Sequence, residues 1–258
     1  MNDERFIIKH IDPVRIKDYV FTYEDYETLF PANQKRNDTV IAKKRKSIQK
    51  KLLNIHSKIK NFAQKADLHV HWNPEHITTI INPTTYNNYT IAWVGIRYGK
   101  HRKHVKYGGE SYASFTKHGS IQIGLYPGGF TVSLFHAVRD GAIDRGFVQE
   151  KLFQNPDFKN EMLMELQKIK GKGYTWYIND PIERLEPVKP FSLDNRDLNE
   201  FFKFYKFDNE GFESHLTRVV PIDDISISTE DQMVFLIKDE IKNLLPLYKQ
   251  LIYIPPVF

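Results

Sequence analysis

The chain has no cysteine among its 258 residues, which excludes disulfides, thiolate metal sites and cysteine nucleophiles. It has no long apolar run either. The longest, residues 91–96 (IAWVGI), falls far short of the ~20 residues that cross a bilayer. The opening MNDERFIIKH carries acids and no apolar stretch, so it does not read as a signal peptide. Together these absences predict a soluble, cytoplasmic protein with no membrane partner. Repeats and low-complexity tracts are missing too. What is present is an apolar fraction of 41% and an aromatic fraction of 14%, enough for a folded core.

The charge is divided unevenly. Residues 1–129 hold 21 Lys+Arg against 11 Asp+Glu, and residues 130–258 hold 16 against 21. A basic half joined to an acidic half predicts a polyanion on one side of the molecule and, on the other, solvent or a protein partner.

Apolar periodicity sets out the elements. Residues 1–20 mix apolar and charged groups and predict a strand and a turn. Ile41, Ile48, Leu52, Ile55, Ile59 and Phe62 then recur at helical spacing, with no Gly or Pro between Asn33 and Ala66. Residues 67–72 (DLHVHW) alternate like a strand. Residues 90–98 (TIAWVGIRY) give the strongest strand signal, and Pro127-Gly128-Gly129 joins residues 119–126 to 130–135 as a hairpin. Helices are expected over 137–154 and 157–169, the second capped by Asn155 with Pro156 at its first position. Residues 174–178 read as a strand, 198–205 as a helix and 215–220 as a strand. A last helix, capped by Ser228, should kink or stop early at Pro246. Strands in the middle and helices outside predict the α+β class. We expect a central antiparallel twisted sheet, a long basic N-terminal helix and C-terminal helices, in one domain. The subdivision that suggests itself falls between 1–66 and 67–258.

Cations crowd the long helix. Lys43, Lys44, Arg45, Lys46, Lys50 and Lys51 lie in it, and Asp38 is the sole acid between residues 34 and 65. Like charges one turn apart repel, and phosphates would relieve that repulsion while releasing counterions. A second cluster follows the strong strand: Arg97, Lys100, His101, Arg102, Lys103, His104 and Lys106, with Tyr107, Tyr112 and Phe115 next. Basic groups beside aromatics suit backbone pairing with base stacking. The plainer account of both clusters is a solvated helix face and a solvated loop.

Asp67, His69 and His71 alternate, so on a strand they share a face, and two imidazoles with a carboxylate suit Zn, Mn or Fe. DLHVH resembles the first metal motif of the polymerase-and-histidinol-phosphatase family and of the amidohydrolases. That resemblance implies a divalent cofactor and water activation. Other catalytic patterns fare worse. Asp157 and Glu240-Ile241-Lys242 have the letters of a PD-(D/E)xK nuclease but fall in predicted helices. Ser111, Ser114 and Ser120 have no nucleophile elbow. Gly108-Gly109 and Gly128-Gly129 lead into no phosphate loop.

The order of features also resembles a bacterial family of unknown function. The likeness is carried by Ile96-Arg97 and Arg102, by residues 123–129 (IGLYPGG), and by Asn155-Pro156-Asp157-Phe158-Lys159. A thematic likeness links the chain to N-terminal DNA-binding domains of modification-dependent restriction systems. The leading expectation is a nucleic-acid-binding protein of prokaryotic defence type, with no required cofactor. The alternatives are a metal-dependent phosphoesterase or nuclease using Asp67, His69 and His71, and a protein-interaction module.

Overall fold

The computed structural model describes residues 4–36, 38–70, 78–79, 91–101, 104, 118–136, 142–179, 188–205 and 213–254. Its centre is an antiparallel sheet of eight strands: β1 (His69–Val70), β2 (Thr78–Thr79), β3 (Val94–Gly99), β4 (Ser120–Tyr126), β5 (Gly129–His136), β6 (Thr175–Asn179), β7 (Val188–Ser192) and β8 (Glu213–Val220). The spatial order is β1-β3-β4-β5-β8-β6-β7, with β2 also paired to β3. The helices are α1 (Tyr23–Glu27), α2 (Pro31–Gln34), α3 (Thr39–Lys65), α4 (Ile143–Gln154), α5 (Pro156–Ile169) and α6 (Glu230–Leu251). This is the expected α+β class.

Period-two patterning decides which sheet face meets the helices. Tyr98, Ile121 and Leu134 lie opposite one another across β3, β4 and β5, and Leu216 and Trp176 continue the row on β8 and β6. All five are buried in the core with Ile48, Leu52, Ile55 and Ile59 of α3 and Ile237, Ile241 and Leu244 of α6. Each such side chain contributes about 1.5–3 kcal/mol on burial. The opposite face carries the row Arg97, Gln122, Ser133, Thr217 and Thr175. Every residue of β3, β4 and β5 is buried, so this polar face is covered as well. The turn Glu4–Phe6 contributes to the cover: Arg5 sets its guanidinium 4.7 Å from the Tyr177 ring centroid, and its carbonyl accepts the Gly128 amide at 2.8 Å. Trp93 lies across Gly95 and Gly124, where a Cβ on Gly95 would come 2.3 Å from its ring.

The basic stripe forms the 27-residue helix α3. Asp38 caps it by accepting the amides of Val40 and Ile41. It ends in a Schellman motif: Leu68 N–H returns to Ala63 O at 2.9 Å and Asp67 N–H to Gln64 O at 3.0 Å. Asp67 takes the left-handed position (φ 58°) that Gly usually fills, a conformation Asp tolerates better than most residues.

Several expectations need correction. Residues 1–20 form no strand among the described residues, but two 3-10 turns, Glu4–Phe6 and Pro13–Ile16. The last helix is capped by Thr229, not Ser228. It also runs on to Leu251 past Pro246. Lys242, whose carbonyl loses its intrahelical partner to the proline, is exposed, so water can replace that bond. Leu198–Tyr205 is helical but of the tighter 3-10 type. Strand β7 was not anticipated. It carries Pro190 and pairs with β6 alone, as expected of a proline-bearing edge strand. Both halves contribute to the one sheet: β1 to β4 come from the basic half and β5 to β8, but for Gly129, from the acidic half, side by side in that order with β5 joining them. Among the described residues no helix is long and apolar enough to cross a membrane.

Candidate functional site

Two places in this fold concentrate polar chemistry: the outer side of α3, and the sheet end where β3 and β5 finish and β4 and β8 begin.

On α3 the structure divides the cations into three groups. The first is structural. Arg45 is 8% exposed and donates to the carbonyls of Arg36 and Asn33 at 2.9 Å each. It clamps the α2 segment to α3 and cannot reach a phosphate, which corrects its assignment as a contact residue. Burial lowers its pKa. The second group is internally paired. Lys44 meets Glu27 at 3.2 Å and Lys51 meets Asp25 at 2.5 Å, both on α1. Lys58 meets Glu230 of α6 at 2.7 Å. Lys44, Lys51 and Lys58 recur every seven residues, so carboxylates of α1 and α6 neutralise one flank of α3. The third group is Lys43, Lys46, Lys50, Lys60 and Lys65, which are exposed. At about 100° per residue these five lie within the ~160° arc that holds the exposed positions of α3. No acid lies anywhere in α3.

The second cluster divides as well. Arg97 is 7% exposed, with its guanidinium 5.3 Å from the Trp93 ring and 5.8 Å from that of Phe135. It belongs to the covered sheet face. Lys100 is 2% exposed; its ammonium donates to Asp144 and to the Tyr253 carbonyl, each at 2.8 Å. Both corrections have one cause: each charge is buried, out of reach of a phosphate chain on the surface. Arg102, Lys103, Lys106, Tyr107, Tyr112 and Phe115 lie outside the described residues, as does His71. His101 is exposed and His104 half-buried.

Asp67 follows the last turn of α3, and His69 pairs with Gly99, so β3 ends near the C-terminal end of α3. From Lys65 back to Lys46 is about 28 Å along the helix axis.

Histidines collect at this sheet end. The His69 and His101 ring centroids are 4.7 Å apart and those of His101 and His104 are 6.4 Å apart. Asp67 does meet His69, with Oδ1 3.0 Å from Nε2. The carboxylate therefore faces the imidazole itself. Among the described residues, no three His, Asp or Glu side chains are gathered so as to hold a metal ion.

Deeper in, Asp144 is fully buried at the start of α4. Its Oδ1 accepts from Lys100 Nζ and from the Tyr253 amide at 2.9 Å, and its Oδ2 accepts the Gly119 amide at 2.7 Å. His118 Nδ1 stands 3.8 Å from Oδ2, too far for a hydrogen bond. Burial alone would raise the Asp144 pKa, but His118 and the Lys100 ammonium outweigh it and hold the carboxyl down to about 2. Next to it, His136 Nε2 lies 2.9 Å from the Leu251 carbonyl and Nδ1 3.0 Å from the Tyr205 hydroxyl. The carbonyl requires a proton on Nε2, so Nδ1 accepts from Tyr205 and the ring is neutral. Burial pushes its pKa down to about 4. With every oxygen of Asp144 engaged and His136 bonded on both nitrogens, these groups join α4, β3, β4, β5 and the C-terminal segment. Sequence reasoning missed this network, since Lys100 and Asp144 are 44 residues apart and no spacing rule links them.

The acids weighed for a PD-(D/E)xK centre are in helices, as expected. Glu240 is buried against the Tyr174 hydroxyl and Arg218, and Asp157 sits in the first turn of α5.

No protein-family model matches the chain, and no curated protein matches it either. The resemblance carried by the IGLYPGG hairpin therefore rests on those short motifs alone.

Proposed function

We propose that the protein binds nucleic acid through the outer arc of α3. The observation that supports this most is the selective neutralisation of the helix. Its flank lysines, Lys44, Lys51 and Lys58, have carboxylate partners on α1 and α6, while Lys43, Lys46 and Lys50 on the ridge make no ion pair with a described residue. These three recur at i, i+3 and i+7, so they share one face and span about 10 Å, a spacing that several consecutive phosphates match. Crowded ammonium groups repel one another in the free protein, and a phosphate chain removes that repulsion. Half-buried His104 and exposed His101 at the far end of the helix extend the polar track toward the loop.

The test is direct binding of a fluorescein-labelled 20-mer, followed by anisotropy. The Lys43→Glu/Lys46→Glu/Lys50→Glu variant should lose at least tenfold in affinity and keep its fold. Lys44→Gln/Lys51→Gln, which touches only the paired flank, should lose much less. Equal binding by the ridge variant and the parent contradicts the proposal.

A further inference from the structure

We infer that the arc of α3 is shaped for the major groove of B-form duplex DNA rather than for a single strand or an RNA duplex. This rests on the reading that α3 is the nucleic-acid surface. Three observations carry it.

The first is the order of residues along the arc. Lys43, Lys46 and Lys50 form one cationic group near the helix start, and Lys60 and Lys65 a second group near its end. Between them the exposed ridge positions include Asn54 and Ser57, which are neutral hydrogen-bonding residues, while Lys58 at the edge of the arc is paired with Glu230 and Asp231. Lys50 and Lys60 are about 15 Å apart along the axis. A helix about 10–12 Å across fits a major groove about 12 Å wide. Set obliquely in the groove, the two cationic groups approach opposite phosphate backbones and the middle segment faces base edges. Amides and hydroxyls are the groups that bond those edges.

The second is what the arc lacks. Binding of a single strand relies on aromatic platforms for successive bases. The one aromatic residue of α3, Phe62, is half-buried and packs against the core. On the neighbouring helix α6, Phe235 is 75% exposed, but Asp231 and Asp239 stand one turn away on either side and repel a phosphate chain.

The third is stiffness. α3 is one uninterrupted 27-residue helix, capped at both ends and buried along its inner side by Ile48, Leu52, Ile55 and Ile59. It cannot bend to follow a flexible strand. The deep, narrow groove of A-form RNA does not admit such a rod.

The experiment compares one 20-base sequence as duplex DNA, single-stranded DNA and duplex RNA in 100 mM salt, for the parent and three variants. The parent should prefer duplex DNA at least tenfold over both others. Lys43→Glu/Lys46→Glu/Lys50→Glu and Lys60→Glu/Lys65→Glu should each weaken duplex binding at least fivefold, because both backbones are held. Asn54→Ala/Ser57→Ala should weaken duplex DNA two- to fivefold and leave single-strand binding unchanged. If single strand or RNA binds as tightly as duplex DNA, and still responds to the ridge variant, the groove geometry is wrong and the functional reading stands. If Lys60→Glu/Lys65→Glu has no effect on duplex binding, the crossing is likewise overturned. No binding to any of the three removes the functional reading itself.

Discussion

Acidification should destabilise this protein through His136 well before its carboxylates titrate. The ring donates from Nε2 to the Leu251 carbonyl and accepts the Tyr205 hydroxyl at Nδ1, and its full burial disfavours the charge a second proton would bring. Its pKa is about 4 in the fold, against an ordinary value near 6.5. Between those values the unfolded chain binds a proton that the folded chain refuses. Stability is therefore highest above about pH 6.5 and falls as pH drops towards 4, by about 1.4 kcal/mol per pH unit and about 3 kcal/mol in all. His56 is likewise held below its ordinary value, first by burial and then by Lys60, and acts in the same direction. Asp144 acts only lower, since stability from a depressed carboxylate is lost as pH falls from about 4 to 2. The assay is urea unfolding at pH 7, 6, 5 and 4.5. His136→Gln should be less stable than the parent at pH 7 by about 1–3 kcal/mol and should show a shallower pH slope. His56→Gln isolates the second contribution. Parallel slopes for the parent and His136→Gln refute the assignment.

Other outcomes follow from single contacts. Asp144→Asn leaves the buried Lys100 ammonium without its counter-charge, and thermal or urea unfolding should show a loss of about 3–5 kcal/mol. Lys100→Met/Asp144→Leu, which removes both charges, should recover part of that loss, and no recovery contradicts the pairing. Gly95→Ala forces a methyl against Trp93 and the Ile123 carbonyl, so it should cost about 1–3 kcal/mol and perturb tryptophan fluorescence. Asp67→Gly suits the left-handed helix end and should leave stability unchanged or raised, whereas Asp67→Ala should lower it by about 1 kcal/mol.

The sequence made some parts of this molecule legible and hid others for physical reasons. The stripe of α3 was readable because burial of Ile41, Ile48, Leu52, Ile55 and Ile59 at helical spacing is a local property. The β4–β5 hairpin was readable for the same reason. Charge misled where it is a tertiary matter. Arg45 is a partial exception, since it stands four residues after Ile41 and three before Ile48, on the buried stripe and about 100° around the helix from exposed Lys46, so helical spacing could have separated it from its neighbour. Lys100 in a run of basic residues looks solvated, and only the distant Asp144 shows that it is not. Asp67 looked like part of a strand, but it is the residue that stops α3. Strand β7 was hidden by Pro190, whose cost vanishes at a sheet edge.

The central claim, that the ridge lysines of α3 contact phosphates, is tested most directly by the salt dependence of binding. The measurement is log Kd against log salt from 50 to 200 mM for the parent and Lys43→Glu/Lys46→Glu/Lys50→Glu. Three phosphate contacts predict that the variant's slope is shallower by about 2.7, at about 0.9 per contact on duplex DNA. Equal slopes for the two proteins would place the phosphates elsewhere and contradict the account.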